Sequence, residues 1–540
     1  MQRWACAARA RRGRLRDTAS GRSAANDDWS ESINDAGRTD DDAGMHPEIA
    51  PIERMGTGVP QLDQILGGGL VRGSAYIVQG PPGAGKTIMA NQICHERARR
   101  GEGALYLTLL AESFGRMFSH MNGFSFFEPA HIPDRVYYAG AYATIRDEGP
   151  DALIRLVSAE LRKRRPALLV IDGLFAARDH AGGRDADAAF RAFVHEIGQQ
   201  AALTETTILL LTNQSRASSS PEYTMVDGWI ELQDELRAER ALRTLIVHKQ
   251  RGSAFLRGRH EYRIGEDGLT VFPRLETQAS REPVPGTSDT RLPTGVDALD
   301  TMIGGGIPER SSSVVLGPTG SGKTTVAMQF LGECTPDERG LFFGFYETPD
   351  RLARKATSVG VDLDALRESG ALEVVWQPPL ENLIDDLGQR IVSAVRRTGA
   401  RRVVIDGINA LQRPLTFPGR IHSFLRALND ILKAEGATTI YTREVPQLFF
   451  PEALAVEELS GTIDNTIILH YTLDGNAVRR RISVLKIRDS DFDHISQEFE
   501  VTAEGIVLRD VSGHERLADT TTSATVVSPT SASAGGGRVR

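Results

Sequence analysis

Two eight-residue segments carry the first chemistry in this chain. GPPGAGKT (Gly80, Pro81, Pro82, Gly83, Ala84, Gly85, Lys86, Thr87) and GPTGSGKT (Gly317, Pro318, Thr319, Gly320, Ser321, Gly322, Lys323, Thr324) both fit G-x-x-x-x-G-K-[ST]. Glycines at that spacing let backbone N–H groups curl around phosphate oxygens, and a helix opening at the lysine adds its positive end. Lys86 and Lys323 can reach β- and γ-phosphates, and the Thr87 and Thr324 hydroxyls can ligate Mg2+. A nucleotide-bound metal also takes a carboxylate from a neighbouring strand end. ALLVID and RVVID end at Asp172 and Asp406, 86 and 83 residues after their lysines. Taken alone, an Asp-Gly pair closing a strand would only cap a turn. Hydrolysis further needs a group that orients water at the γ-phosphate, and TLLAES and GFYETP place Glu112 and Glu347 just past a strand. Near the end of each series stands a basic pair, Lys249 with Arg251 and Lys486 with Arg488. Such a pair reads either as charge guarding an edge strand or as cations supplied to a neighbouring subunit's γ-phosphate.

The elements that must position these residues repeat. TGVPQLDQILGGGL (57–70) returns as TGVDALDTMIGGGI (294–307), identical at eight of fourteen positions, and the offset of 237 holds without a gap from Thr57/Thr294 to Lys86/Lys323. The basic pairs recover the same offset, so the chain is a tandem duplication. In the first copy, apolar strands are expected at 75–79, 104–110, 135–139, 167–171 and 207–212, with helices at 86–100, 151–164 and 186–203. The second copy repeats the order with strands at 313–317, 341–345, 372–376, 402–406 and 438–442. The basic pairs follow two further strand-like segments, LRTLIVH and RRRISVL, each expected to end its domain. Near-continuous apolar strands alternating with helices predict an α/β fold with a mostly parallel sheet buried on both faces, twice.

Length and composition agree. The 540 residues exceed what one core holds, and 40% hydrophobic with 25% charged residues is ordinary globular usage. The expected organisation is an N-terminal tail (1–48), a first domain (49–277), a linker (278–290), a second domain (291–512) and a C-terminal tail (513–540). Residues 1–22 carry seven arginines and 26–48 are acidic, which reads as a disordered tail or an over-extended start with Met45 as the beginning. The Ser/Thr/Ala/Gly-rich far end cannot bury enough apolar surface to order itself. Lys+Arg 63 against Asp+Glu 71 gives a net charge of −8, which counts against a chain that coats nucleic acid. Cys6, Cys94 and Cys334 form no CxxC pair, so a reducing, cytoplasmic setting is expected. The longest apolar runs are far shorter than the roughly 20 residues of a membrane span.

Taken together, the TG-x-x-x-LD…GGG lead-in, the two phosphate loops, the glutamates past a strand, the Val-Ile-Asp strand ends and the K-x-R pairs resemble the KaiC-type, double-domain branch of the RecA superfamily. The resemblance spans roughly 52–275 and 290–510. It implies two RecA-like domains, a two-tiered and usually hexameric ring, and ATP with Mg2+ bound between subunits. It also implies that Lys249, Arg251, Lys486 and Arg488 act on the neighbour's nucleotide. Two positions depart from the family's clock proteins. Where those carry adjacent glutamates, this chain has Ala111 before Glu112 and Tyr346 before Glu347. Where those carry a Ser-Thr phosphorylation pair, it has Gly461 before Thr462.

The leading expectation is an Mg2+-dependent ATPase acting as an oligomeric signalling or regulatory protein with a protein partner. Its rivals are a serine/threonine autokinase using Thr462, Ser460 or nearby hydroxyls, a nucleotide-sensing scaffold with little turnover, and a DNA-linked RecA-type motor. The last lacks a recognisable helix–hairpin–helix or basic aromatic platform.

Overall fold

Leu, Ile and Val runs without polar interruption make the strands at the heart of the chain, because these strands are covered on both faces and have no solvent side to mark with polar residues. The computed structural model describes residues 51–111, 113–174, 186–213, 221–237, 239–279, 289–415, 419–446 and 461–509. The expected tails, most of the linker, Glu112 and Ser460 lie outside the described residues. In chain order the first sheet uses β1 (Ala75–Gln79), β2 (Ala104–Thr108), β3 (Val136–Gly140), β4 (Leu168–Asp172), β5 (Thr207–Thr212), β6 (Gly228–Arg237), β7 (Arg240–Gln250), β8 (Arg259–Gly265) and β9 (Gly268–Phe272). Across the sheet they lie in the order β9-β8-β7-β6-β1-β5-β4-β2-β3. β1 to β6 run parallel, and β7 to β9 close one flank antiparallel.

The second sheet uses β10 (Ser312–Gly317), β11 (Gly340–Gly344), β12 (Leu372–Trp376), β13 (Arg402–Asp406), β14 (Thr438–Glu444), β15 (Asn465–Asp474), β16 (Ala477–Lys486), β17 (Gln497–Thr502) and β18 (Gly505–Leu508). Their order is β12-β11-β13-β14-β10-β15-β16-β17-β18, the first arrangement strand for strand. Every residue of β1, β2, β5, β10, β11 and β13 is buried. These are two tandem RecA-like domains, each with an apolar core on either face of its sheet.

The strands bearing the basic pairs do not end their domains. β8 and β17 pair beyond them along Thr244–Ile246 and Arg480–Ile482, so β7 and β16 are interior strands over those residues, and the basic pairs lie past the covered stretch. The missed strands are short, polar-rich (RHEYRIG, QEFEVT) and folded back through two-residue turns, which hides them from a search for apolar runs.

From Ile52 onward the described residues form a single unit, and a buried seam joins the halves. Leu275 enters the core of the second half beside helices Ile384–Thr398 and Arg420–Ala434. Glu261 of β8 accepts from the Asp385 backbone N–H at 3.2 Å, at the first turn of the Ile384–Thr398 helix. Asp385 Oδ1 accepts from the Leu275 N–H (3.1 Å) and from Arg420 (2.6 Å), and Arg420 also holds Glu276 through two 2.7 Å bonds. Glu261 and Asp385 are almost wholly buried. Burial first, then the facing Asp385 charge, pushes the Glu261 carboxyl up to about 8.

A carboxyl raised in the folded state binds its proton more tightly there than in the unfolded chain, so its stabilising share is complete in acid and is lost as pH rises through the folded value. We expect the thermal midpoint to fall between about pH 4.5 and 8 through this residue. Glu261→Gln should flatten that slope in a calorimetric pH series. An unchanged slope would place the titrating group elsewhere.

Candidate functional site

Each phosphate loop joins a buried strand to a helix: β1 to α1 (Lys86–Arg99), and β10 to α2 (Lys323–Gly332). Gly80 and Gly317 have no room for a side chain, since a Cβ would sit 2.4 Å from the Leu232 carbonyl oxygen and 2.6 Å from that of Leu469. Gly85 and Gly322 take φ of 92° and 105° at the helix start, a region glycine enters at little steric cost. Lys86 Nζ donates to the Gly80 and Pro81 carbonyls at 2.8 and 2.9 Å, and Lys323 Nζ to Pro318 at 2.7 Å. Both ammonium groups are thus held over their own loops. Burial is the main cause lowering both pKa values, with Asp172 opposing it at Lys86 and Glu444 and Asp406 opposing it at Lys323.

The strand-end aspartates lie beside these loops. Asp172 closes β4, where its Oδ2 accepts from the Tyr106 hydroxyl at 2.6 Å and lies 3.4 Å from Thr87 Oγ1. The Thr87 and Asp172 oxygens are a hard donor set suited to Mg2+, which needs few protein ligands when phosphates supply the rest. Asp406 closes β13, is buried, and accepts from the Thr442 hydroxyl. Burial raises its pKa, helped by Glu347 and opposed by Thr442, Lys355 and Lys323. These causes put Glu347, Asp406, Lys323 and Lys355 in one electrostatic cluster. Glu347 Oε1 accepts from Lys355 Nζ at 2.9 Å, while its Oε2 is buried with no hydrogen-bond partner among the described residues. Lys355, on helix Pro349–Thr357, was not singled out from the sequence, nor were Tyr106, Thr442 and Glu444, whose carboxylate holds the loop's Thr319 hydroxyl. The Tyr346 ring lies with Arg413 5.8 Å over its centroid and close against Gly407, where a Cβ would meet it at 2.8 Å.

The basic pairs are not brought to these loops. Arg251 N–H bonds the Asp227 carbonyl, and Asp227 N–H bonds that of Ala75, both at 2.9 Å, so Arg251 flanks the first residue of β1. The phosphate loop leaves the other end, a strand length of about 16 Å away. In the second half, Asp464 N–H bonds the Ser312 carbonyl at 3.0 Å, and Arg488 N–H bonds Asn465 Oδ1 at 3.2 Å, beside the start of β10. A register irregularity precedes each pair, at Trp229/Ile230 and Thr466/Ile467, again 237 residues apart. Irregularities of this kind re-aim side chains. Lys249 Nζ is held by the Tyr223, Thr224 and Val226 carbonyls (3.2, 2.9 and 2.6 Å), and Lys486 Nζ by that of Ile463 (3.0 Å). The arginine side chains stand 60% and 57% exposed. Thr462 lies at this same end, its carbonyl bonded by Asn429 Nδ2 at 2.9 Å, and is therefore remote from its own domain's loop.

The KaiC ATPase family model matches this chain over residues 55–276 and again over 292–512. The chain belongs to the KaiC family. Among KaiC-family relatives, the circadian clock protein KaiC3 of Synechocystis sp. is 28% identical over 490 residues, covering 86% of this chain and 94% of the relative. The circadian clock oscillator protein KaiC 1 of the same organism is 25% identical, covering 86% and 91%. The KaiC oscillator protein of a Picosynechococcus species is 25% identical, covering 87% and 92%. Membership supports nucleotide binding at both loops. Among the described residues no helix is long and apolar enough to cross a membrane.

Each lysine serves its own loop. Lys86→Ala and Lys323→Ala should therefore each lower the count of bound fluorescent ATP analogue from two sites to one per chain in equilibrium titration. A mutant that still binds two would show its loop to be dispensable.

Proposed function

We propose that this KaiC-family chain is an Mg2+-dependent ATPase whose two sites per chain are completed by the neighbouring copy in a ring, of six in the resemblance drawn above. The observation that carries this reading is the placement of Arg251 and Arg488, which lie at the opposite strand end from their own phosphate loops in both halves. A cation on one end of the domain and a loop on the other suit head-to-tail contact between copies, the geometry that closes rings. In this assignment the loop backbones, Lys86 and Lys323 cradle the phosphates, and Thr87 with Asp172 and Thr324 with Asp406 hold Mg2+, which neutralises phosphate charge when bound. Glu112 and Glu347 orient water, and the Lys249/Arg251 and Lys486/Arg488 pairs stabilise charge on the neighbour's γ-phosphate. The hydrolysis cycle serves a regulatory role through a protein partner in the cytoplasm, in keeping with the clock functions named for the relatives.

Glu112→Gln with Glu347→Gln should lower hydrolysis by roughly 10²-fold or more while sparing ATP affinity, since a positioned acid–base group contributes on that scale. Mass measured with and without ATP should show nucleotide-driven assembly. Mixing an Arg488→Ala chain with a Lys323→Ala chain should restore part of the lost turnover, because some interfaces then pair an intact loop with an intact arginine. Verified mixed rings without recovery, or full activity in a monomer, would end the shared-site reading.

A further inference from the structure

One aspartate in each half touches both the arginine and the opening residue of the strand that ends in the phosphate loop. Asp227 Oδ2 accepts from the Ala75 N–H at 3.1 Å, the first residue of β1, and its Oδ1 lies 3.5 Å from Arg251. Asp464, 237 residues later, accepts from the Ser312 N–H (2.9 Å) and hydroxyl (2.8 Å) at the first residue of β10, and its Oδ1 lies 3.3 Å from Arg488. Asp464 is nearly fully buried and is also gripped by Lys433 at 2.6 Å. The bland reading of either residue is a cap that satisfies a strand's opening N–H. That reading leaves the second oxygen, aimed at the arginine in both copies, without a reason.

We propose that Asp227 and Asp464 are positioning residues that fix the finger arginines and tie them to the strand bearing the same domain's phosphate loop, so that nucleotide at one site is felt at the next site around the ring. This inference rests on the shared-site reading above. A phosphate seated on the loop acts on one end of β1 or β10, and the aspartate grips the other end. The strand between them is buried on every residue and hydrogen-bonded on both sides, so it moves as a rigid piece. Its displacement is passed to an arginine that faces a different nucleotide. A rigid element biased from both ends is the physical requirement for coupling between sites. The halves differ in strength of grip: the Ser312 hydroxyl and Lys433 add two bonds at Asp464, while the Ala75 methyl has no hydrogen-bonding group to offer Asp227. Coupling in the second tier is therefore the tighter.

The test uses the full-length chain with Asp227→Asn, Asp464→Asn, Asp464→Glu, Ser312→Ala, Arg251→Ala and Arg488→Ala, assayed for hydrolysis against ATP concentration. Bound nucleotide is counted by titration, and the melting temperature controls for folding. Wild type should hydrolyse cooperatively, with a Hill coefficient above one. The Asp→Asn variants should still bind two nucleotides with KM unchanged, yet lose about tenfold in kcat and most of the cooperativity, within the span usual for coupled sites. Asp464→Glu, which keeps the charge, should recover part of both. Ser312→Ala keeps the ion pair and should lower cooperativity with little change in kcat, a split that a mere cap would not produce. Non-cooperative wild-type kinetics, or Asp464→Asn rings with wild-type kinetics beside a defective Arg488→Ala, would overturn the inference and leave the shared site standing. Fully active arginine variants would overturn both. If Asp464→Asn fails to fold, unchanged cooperativity in Ser312→Ala overturns the proposal by itself.

Discussion

The polarity of one buried parallel strand in each half governs everything else. β1 and β10 start at an aspartate–arginine pair and end in a phosphate loop, and neither end can approach the other because every residue between them is locked into the sheet. As built, a single copy holds its phosphate loop at one end of the strand and its arginine at the other. β7 and β16 are interior strands along Thr244–Ile246 and Arg480–Ile482, and Arg251 and Arg488 follow just past the ends of these strands.

Burial on both faces also dictates where chemistry can sit. Strands without a solvent side cannot carry an unpaired charge along their length, since each such charge costs several kcal/mol. Charged residues are therefore pushed to strand ends, where Asp172, Asp406 and Glu444 gather on the loop side and Asp227 and Asp464 on the other. Even there burial is deep enough to matter. Asp406 is raised by it, and the Lys323 and Lys355 ammonium groups oppose the shift. Removing either lysine thus alters the acid as well as its own contact, and effects at these positions will not add.

Local chemistry was legible in the sequence and distant chemistry was not. The phosphate loops, the Asp172 and Asp406 strand ends and the parallel sheet follow from contiguous residues, and β12 and β13 fall at the expected bounds. The duplication guided the rest, because the offset of 237 recurs in the lead-in, the loops, the basic pairs and the register irregularities. Asp464 shows why other residues escaped. It meets Ser312 across 152 residues, and Asp227 in its Asp-Gly pair looks like a turn signal rather than an anchor. Lys355 escaped because a lysine on an amphipathic helix reads as a solvated face. The hairpins after β7 and β16 escaped because their alternation is polar-rich, which turned two interior strands into apparent domain ends.

The seam between the halves is built from the opposite logic to the sites. Arg251 and Arg488 stand 60% and 57% exposed, whereas the charges of the seam are buried or nearly so and meet within the chain. Arg420 is the only guanidinium hydrogen-bonded to both Glu276 and Asp385 among the described residues, and Glu261 adds a third carboxyl with no added cation in hydrogen-bond contact. Burial first, then the facing Asp385 charge, holds the Glu261 carboxyl well above its ordinary value against Arg420 and Arg240, so one proton belongs to the structure there. Uncharged, Glu261 can sit against the opening turn of the Ile384–Thr398 helix at modest desolvation cost, which lets the last strands of the first half seat directly on a helix of the second. Arg420 is required for this more than any apolar contact at the seam, because without it the fully buried Asp385 loses the guanidinium it holds at 2.6 Å and Glu276 keeps only Arg274 at 3.5 Å.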